Sequence, residues 1–267
     1  MDIQARMPRI VIALSLVTLI VLLAPLVIVV LSALNAGDYL TFPPQGLSLR
    51  WLQAFLTSPI FVPAYLYSLG LAVVTGLISM VLGTAASVYV ARSRGVAAGV
   101  VRGLLMLPIV MPGIVIGLGL LIFYTWSGLG LARTVPGLLL GHVLVTMPFV
   151  VATVSAALAG FDQSLEDAAR SLGASRWTAF RKVTLRLISP SILAGTLFAI
   201  LISFGQFELS MMLAVPERAP LPLVLYTSLK YEFEPTAAAA GLFAILMVVG
   251  TTLITSRLVN LRRVFKA

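Results

Sequence analysis

Residues 164–190 read SLEDAARSLGASRWTAFRKVTLRLISP. They form a polar, charged island in a chain of 267 residues that is 60% hydrophobic and only 10% charged. Two helices joined at a glycine account for the pattern. Ser164 followed by Asp167 has capping-box spacing, in which the Ser164 hydroxyl accepts from the backbone N–H of residue 167. Glu166 and Asp167 fall in the first turn, where the helix dipole favours negative charge. Leu165, Ala168, Ala169 and Leu172 recur at i, i+3, i+4 and i+7, which makes one apolar stripe. Gly173 suits the left-handed conformation that ends helices. Ser175 then caps a second helix, with Trp177, Phe180 and Val183 on one side and Arg176, Arg181 and Lys182 elsewhere. Short helices are marginal in water on their own. A short helix with an apolar stripe therefore implies a surface to dock against, in this chain or in a partner.

Outside the island the chain is greasy. Mean hydropathy is +1.09, and the charged fraction is far below the roughly 25% of soluble domains. Six segments reach the roughly 20 apolar residues needed to cross a bilayer, at about 10–34, 62–91, 99–125, 137–158, 189–214 and 236–259. The first follows Arg6 and Arg9 and is longer than the roughly 7–15-residue apolar stretch of a signal peptide, so it is expected to stay as a membrane helix. The expected fold is an all-α integral membrane protein. It has a single transmembrane domain over residues 1–267, with the polar loop, 160–188, between the fourth and fifth spans.

The basic residues give an orientation. Fourteen of the 18 lie on one side: Arg6, Arg9, Arg92, Arg94, Arg102, Arg170, Arg176, Arg181, Lys182, Arg186, Arg257, Arg262, Arg263 and Lys266. The other side holds Arg50, Arg133, Arg218 and Lys230. The positive-inside rule places the first set, both termini and the polar loop in the cytoplasm. The net charge of +9 is thus a topology signal, and no clustered basic face points to nucleic acid. On the outer side, Gly46–Pro59 reads as a short amphipathic helix with Trp51, Leu52, Phe55 and Leu56 on one face. The outer loop Pro216–Pro235 carries Glu217, Arg218, Lys230, Glu232 and Glu234, and is either a docking surface for another protein or a solvated loop.

The third span carries Pro108, Pro112, Gly113, Gly117 and Gly119. Proline removes a backbone donor and kinks a helix, and freed carbonyls in hydrocarbon need partners from protein or a wet cavity. Either this span lines a pathway, with Met111 beside the prolines, or it is a kinked helix that uses small residues for close packing. The fifth span holds an intramembrane acid, Glu208, with Gly205, Gln206 and Ser210 close by. Such a residue is a functional candidate by default. Glu208 faces a cation in a pathway, or is protonated, or pairs with a neighbouring subunit.

Enzymatic chemistry is not expected. The chain has no cysteine and one histidine, His142, so neither a thiolate nucleophile nor a zinc site is expected. His142 reads as a packed or interfacial residue. None of Lys182, Lys230 and Lys266 follows a glycine, so no phosphate-binding P-loop is present and no cofactor is expected in this chain.

The island resembles the EAA loop of the membrane subunits of bacterial ATP-binding-cassette importers. The pattern of that family is Glu-Ala-Ala, three residues, Gly, then nine residues before Ile-x-Leu-Pro. Asp167, Ala168, Ala169 and Gly173 match its first part, with Asp for Glu. Val183, Thr184 and Leu185 match the later part, with Arg186 where the family has Pro. The stretches MPFVVATVSAALAGFDQSLEDAARSLGAS and LPLVLYTSLKYEFEPTAAAAG are similar to the spermidine/putrescine-type branch of the type I, binding-protein-dependent importers. The resemblance runs from about residue 60 to the end.

The resemblance implies a permease subunit forming half of a translocation pathway for a small hydrophilic solute, such as a polyamine or related organic cation. It implies four partners: a cytoplasmic ATPase dimer that binds the ATP and Mg, a second permease subunit of a different chain, an extracytoplasmic solute-binding protein, and the lipid of a bacterial inner membrane. It makes Asp167, Ala168, Ala169 and Gly173 the expected coupling contacts, and Ser164, Glu166, Arg170 and Leu172 of the same short helix complete the expected ATPase-coupling set. Read from the intramembrane acid and the broken third span, Met111, Gly205, Gln206, Glu208 and Ser210 are the expected substrate pathway. The alternative is a self-contained secondary transporter or channel, which calls for more buried charge or an internal repeat. A membrane anchoring or assembly protein would not need kinked spans.

Overall fold

The computed structural model describes residues 9–39, 41–93, 95–231 and 235–258. Arg6, Arg94, Glu232, Glu234, Arg262, Arg263 and Lys266, used above for the charge count and the outer loop, lie outside the described residues. The helices are α1 (Arg9–Ala33), α2 (Arg50–Thr57), α3 (Phe61–Arg92), α4 (Val96–Val110), α5 (Gly113–Trp126), α6 (Val135–Ala159), α7 (Ser164–Ser171) and α8 (Arg176–Ala179). A π-helical turn, Phe180–Thr184, follows, then α9 (Leu185–Phe204), α10 (Glu208–Leu213), α11 (Leu221–Tyr231) and α12 (Thr236–Leu258). Among the described residues there is no strand, only isolated bridges at Asn35–Leu47 and Val215–Arg218.

Among the described residues, five helices are long and apolar enough to cross a membrane: Ile10–Ala33, Phe61–Arg92, Val135–Ala159, Arg176–Phe204 and Thr236–Ile254. The pair α4 and α5 makes a sixth span when counted together. This corrects the expectation of one kinked third helix, because the two halves are bent by 111°. The cause is local. A residue before proline is pushed out of the helical region, and Met111 is extended at φ −85° and ψ 138°, followed by Pro112 at φ −57° and ψ 133°.

The chain divides into two compact units, one of residues 1–62 and 225–247, the other of residues 63–224 and 248–267. In the first, α1 is apolar on every face and almost wholly exposed within the chain, as suits a helix in hydrocarbon. The loop after it is organised by Asn35, which is fully buried. Its Oδ1 accepts from the backbone N–H of Gly37 (3.0 Å) and Gln45 (2.9 Å), and its Nδ2 donates to the Tyr39 carbonyl (3.1 Å). The short amphipathic helix appears as α2. Phe55 is buried and stacks on Phe243 at 4.4 Å, whereas Leu56 stays exposed.

The second unit is built around α6, the most buried of the spans. Val150 and Val154 of α6 pack with Ile188 and Ala199 of α9. Leu138 and Val145 pack with Ile116 and Tyr124 of α5 and with Leu209 and Leu213 of α10. Polar contacts also tie helices together across this apolar core. Ser79 of α3 meets Thr146 of α6 at 2.9 Å. The second helix of the island runs on into the fifth span without a stop at Pro190, which lies inside α9. Proline there removes the donor to the Arg186 carbonyl, and the Ser189 hydroxyl donates to that oxygen instead (2.8 Å).

Candidate functional site: a docking loop and a broken span

The polar loop folds as a helix, an elbow and a helix. Gly173 adopts φ +92°, a conformation that side chains resist. Its N–H donates to the Arg170 carbonyl (3.0 Å), and the Ala174 N–H donates to the Ala169 carbonyl (3.1 Å). These two bonds form the Schellman arrangement that closes a helix C-terminus. Ser175 caps α8 by accepting from the Thr178 N–H (3.2 Å). The start of α7 departs from the expected capping box. Ser164 is the first helical residue and does not cap; Asp162 Oδ1 accepts its N–H at 2.9 Å. Bonds from the Ser164 hydroxyl and backbone N–H hold the exposed Asp162 carboxyl below the usual carboxylate range.

The expected coupling residues do not all face the same way. Leu172 is 89% exposed, Leu165 47% exposed, and Ala168 is exposed between them, so these three of the stripe are left uncovered by the described residues. Ala169 is half-buried. Asp167 and Arg170 pair at 3.4 Å across a solvated face, which contributes little to stability. Glu166 is different. It is the buried residue of α7, and its Oε2 receives Arg92 Nη2 at 2.6 Å and Thr184 Oγ1 at 2.7 Å. The Arg92 guanidinium also lies over the Phe180 ring at 5.0 Å. Glu166 faces a cavity of about 280 Å³ lined also by Ala91, Arg92, Leu158, Phe161, Gln163 and Thr184. The sequence reading did not find the Arg92–Glu166–Thr184 cluster. The only signal was that Glu166 lies off the apolar stripe of α7.

The second site lies where two helices break. The fifth span stops at Phe204, Gly205 closes α9 with its N–H on the Leu201 carbonyl (3.2 Å), and the chain restarts as α10 at Glu208. The N-termini of α10 and α5 come together here. A β-carbon on Gly113 would stand 2.5 Å from Glu208 Oε2 and 3.0 Å from Gln206 Nε2. Glu208 is exposed, Gln206 half-buried, and Met111 is 38% exposed in the break of the other pair. Ser210 departs from the expected pathway. It is fully buried, donates to the Gln206 carbonyl (2.6 Å) and meets His142 Nε2 (3.2 Å). His142 Nδ1 meets Ser203 Oγ at 2.8 Å. This one imidazole, 1% exposed, ties α6 to both halves of the broken fifth span.

The sequence pattern of the family described as "Binding-protein-dependent transport system inner membrane component" matches residues 79–262. The chain belongs to this family. It is the membrane-spanning permease subunit of an ATP-driven importer. Among relatives, the spermidine/putrescine transport system permease protein PotC of Escherichia coli K12 is 29% identical over 234 residues, which is 86% of this chain and 88% of that protein. A probable molybdenum ABC transporter permease protein of Haloferax volcanii is 32% identical over 78% of this chain and 79% of its own length. The permease shares its fold with a chain from the crystal structure of a bacterial alginate ABC transporter in complex with a pentasaccharide-bound periplasmic protein. The TM-score is 0.70 at 17% identity, with 97% of this chain and 96% of that chain covered. A chain of the MetNI methionine ABC transporter gives a TM-score of 0.62 at 18% identity, over 75% and 95%.

Proposed function

We propose that the permease carries a small organic cation, of the polyamine kind, past the junction of its two broken spans, and that the loop of α7 couples this movement to a cytoplasmic ATPase. The observation behind the pathway is Glu208, an exposed carboxylate set against the first turn of α5 and flanked by Gln206, Gly205 and Met111. The N-termini of α5 and α10 favour negative charge, and the Glu208 carboxylate supplies it there. An intramembrane carboxylate favours a cation and repels an oxyanion. That argues for the substrate class printed for PotC, spermidine and putrescine, over the molybdenum of the Haloferax relative. Ser210 then acts at one remove, by fixing the Gln206 carbonyl and the His142 ring.

The coupling reading rests on the uncovered stripe of Leu165, Ala168 and Leu172 beside the left-handed elbow. In this reading Ser164, Asp167, Ala168, Ala169, Arg170, Leu172 and Gly173 form the face that meets the ATPase, which supplies ATP and Mg. Both termini lie in the cytoplasm, the chain has no catalytic site of its own, a second and different permease completes the pathway, and a binding protein delivers solute from outside. The test is uptake of radiolabelled putrescine into vesicles holding the whole transporter. Glu208→Gln should lower uptake by about tenfold, the order expected for losing a charge-assisted contact, with assembly unchanged. Normal uptake by that variant, or uptake of molybdate and not of putrescine, would sink the reading.

A further inference from the structure

We propose that Glu166 is a positioning residue that fastens the docking helix α7 to two membrane helices at once, so that α7, the end of α3 and the start of α9 move as one body. The proposal rests on the reading that α7 meets the ATPase, and adds how its displacement enters the membrane. Arg92 is the last residue of α3, and Thr184 is the last of the π-helical turn that leads into α9. Both donate to the same carboxylate oxygen, Glu166 Oε2. They come from 74 residues before and 18 residues after it in the chain. Arg92 braces the π turn a second time through the Phe180 ring. A π turn widens the helix by one residue and is found mostly at functional positions. Here it ends on the residue whose hydroxyl reaches α7.

The rest of α7 has little hold on the unit. Leu165, Asp167, Ala168 and Leu172 are exposed, and among the described residues the ion-pair partner of Asp167 is Arg170 of the same helix. A push on α7 would tilt or slide it unless something transmits the load. Charge-assisted bonds of 2.6 and 2.7 Å are short and directional, so the carboxylate resists both movements. Glu166 is 7% exposed. It therefore cannot also serve as part of the ATPase-facing surface, and its role differs from that of Asp167 beside it.

The test uses the natural absence of cysteine. Spin labels are placed through Ser93→Cys and Leu172→Cys in the complete transporter with its ATPase. Their distance is measured without ATP and after trapping with ATP and vanadate. Glu166 intact should give the same narrow distance in both states. Glu166→Gln should broaden it and make it shift on trapping. It should also cut stimulation of ATP hydrolysis by the cognate binding protein about fivefold, the low end of coupling energies between sites. The exchange Arg92→Glu with Glu166→Arg should restore both. Should Glu166→Gln not accumulate, Thr184→Val removes one of the two bonds and should show the same broadening in milder form. An unchanged distance and stimulation in Glu166→Gln, or in Thr184→Val in its place, would overturn the proposal. So would loss of ATPase co-purification in place of a distance change. If instead a Leu172→Cys cross-link to the ATPase is missing while the label distance still answers to Glu166→Gln, the docking reading fails and the fastening stands.

Discussion

Glu208 and Gly113 meet across two helix breaks: the Glu208 Oε2 atom occupies the space 2.5 Å from where a β-carbon on Gly113 would be. Only glycine leaves room for the carboxylate and the Gln206 amide against the first turn of α5. Gly113→Ala leaves the backbone unstrained but pushes both side-chain ends aside. Uptake should fall roughly three- to tenfold, since misplacing a binding group by about 1 Å is costly, while the amount of protein in the membrane stays the same. Wild-type uptake by Gly113→Ala would separate the two breaks functionally.

Gly173 has open space around it, so a substitution there acts through the backbone alone. At φ +92° a β-branched residue costs about 1–2 kcal/mol. Gly173→Val should therefore re-aim α7, and uptake should fall much further than basal ATP hydrolysis. Gly173→Asn, better tolerated in this conformation, should keep more of the coupling. Equal uptake in the two variants would remove the elbow from the mechanism.

His142 is bonded to Ser203 and Ser210 in a sealed core. His142→Ala removes the bond to the Ser203 hydroxyl and opens a cavity, while Ser210 keeps its bond to the Gln206 carbonyl. An orphaned buried group costs about 1–3 kcal/mol, and the cavity adds to it, so the detergent-solubilised permease should lose several degrees of thermal stability. A thermal aggregation curve checks this, and an unshifted midpoint would mean that the bonds carry no weight.

Asn35 holds the loop after α1 by two accepted N–H bonds and by two donated bonds, to the Tyr39 carbonyl and the Thr41 hydroxyl. Asn35→Ala should make this loop the first site cut by protease added to open membrane fragments. Wild-type resistance would show that the loop is held by something other than Asn35.

Much of the architecture was legible in the sequence because membrane helices obey length and composition. The spans and the helix–glycine–helix island follow from hydropathy, capping residues and one glycine. The breaks were legible only in part. Pro112 marks the third span, but the fifth breaks at Gly205–Phe207 without proline, and one glycine in an apolar run has no fixed meaning. Ser164 does not cap because the helix starts earlier: Asp162 accepts the Ser164 N–H, and the Asp167 N–H goes to the Gln163 carbonyl instead of the Ser164 hydroxyl. The Arg92–Glu166–Thr184 cluster and the His142–Ser203–Ser210 cluster were out of reach. Each joins residues dozens of positions apart, and no local period encodes such a meeting. Ser210 is near Glu208 in sequence, but two residues along a helix turn a side chain by about 200°, which carries it into the core.

Docking of α7 on an ATPase can be measured directly. With Leu172→Cys as the only cysteine, the permease is expressed with its ATPase subunit bearing single cysteines along its membrane-facing groove, and oxidised in isolated membranes. The expected result is a cross-linked pair at a few groove positions, with a yield that changes when ATP and vanadate are added. No cross-link from Leu172→Cys or Ala168→Cys at any groove position, in a complex that still imports solute, would contradict the account.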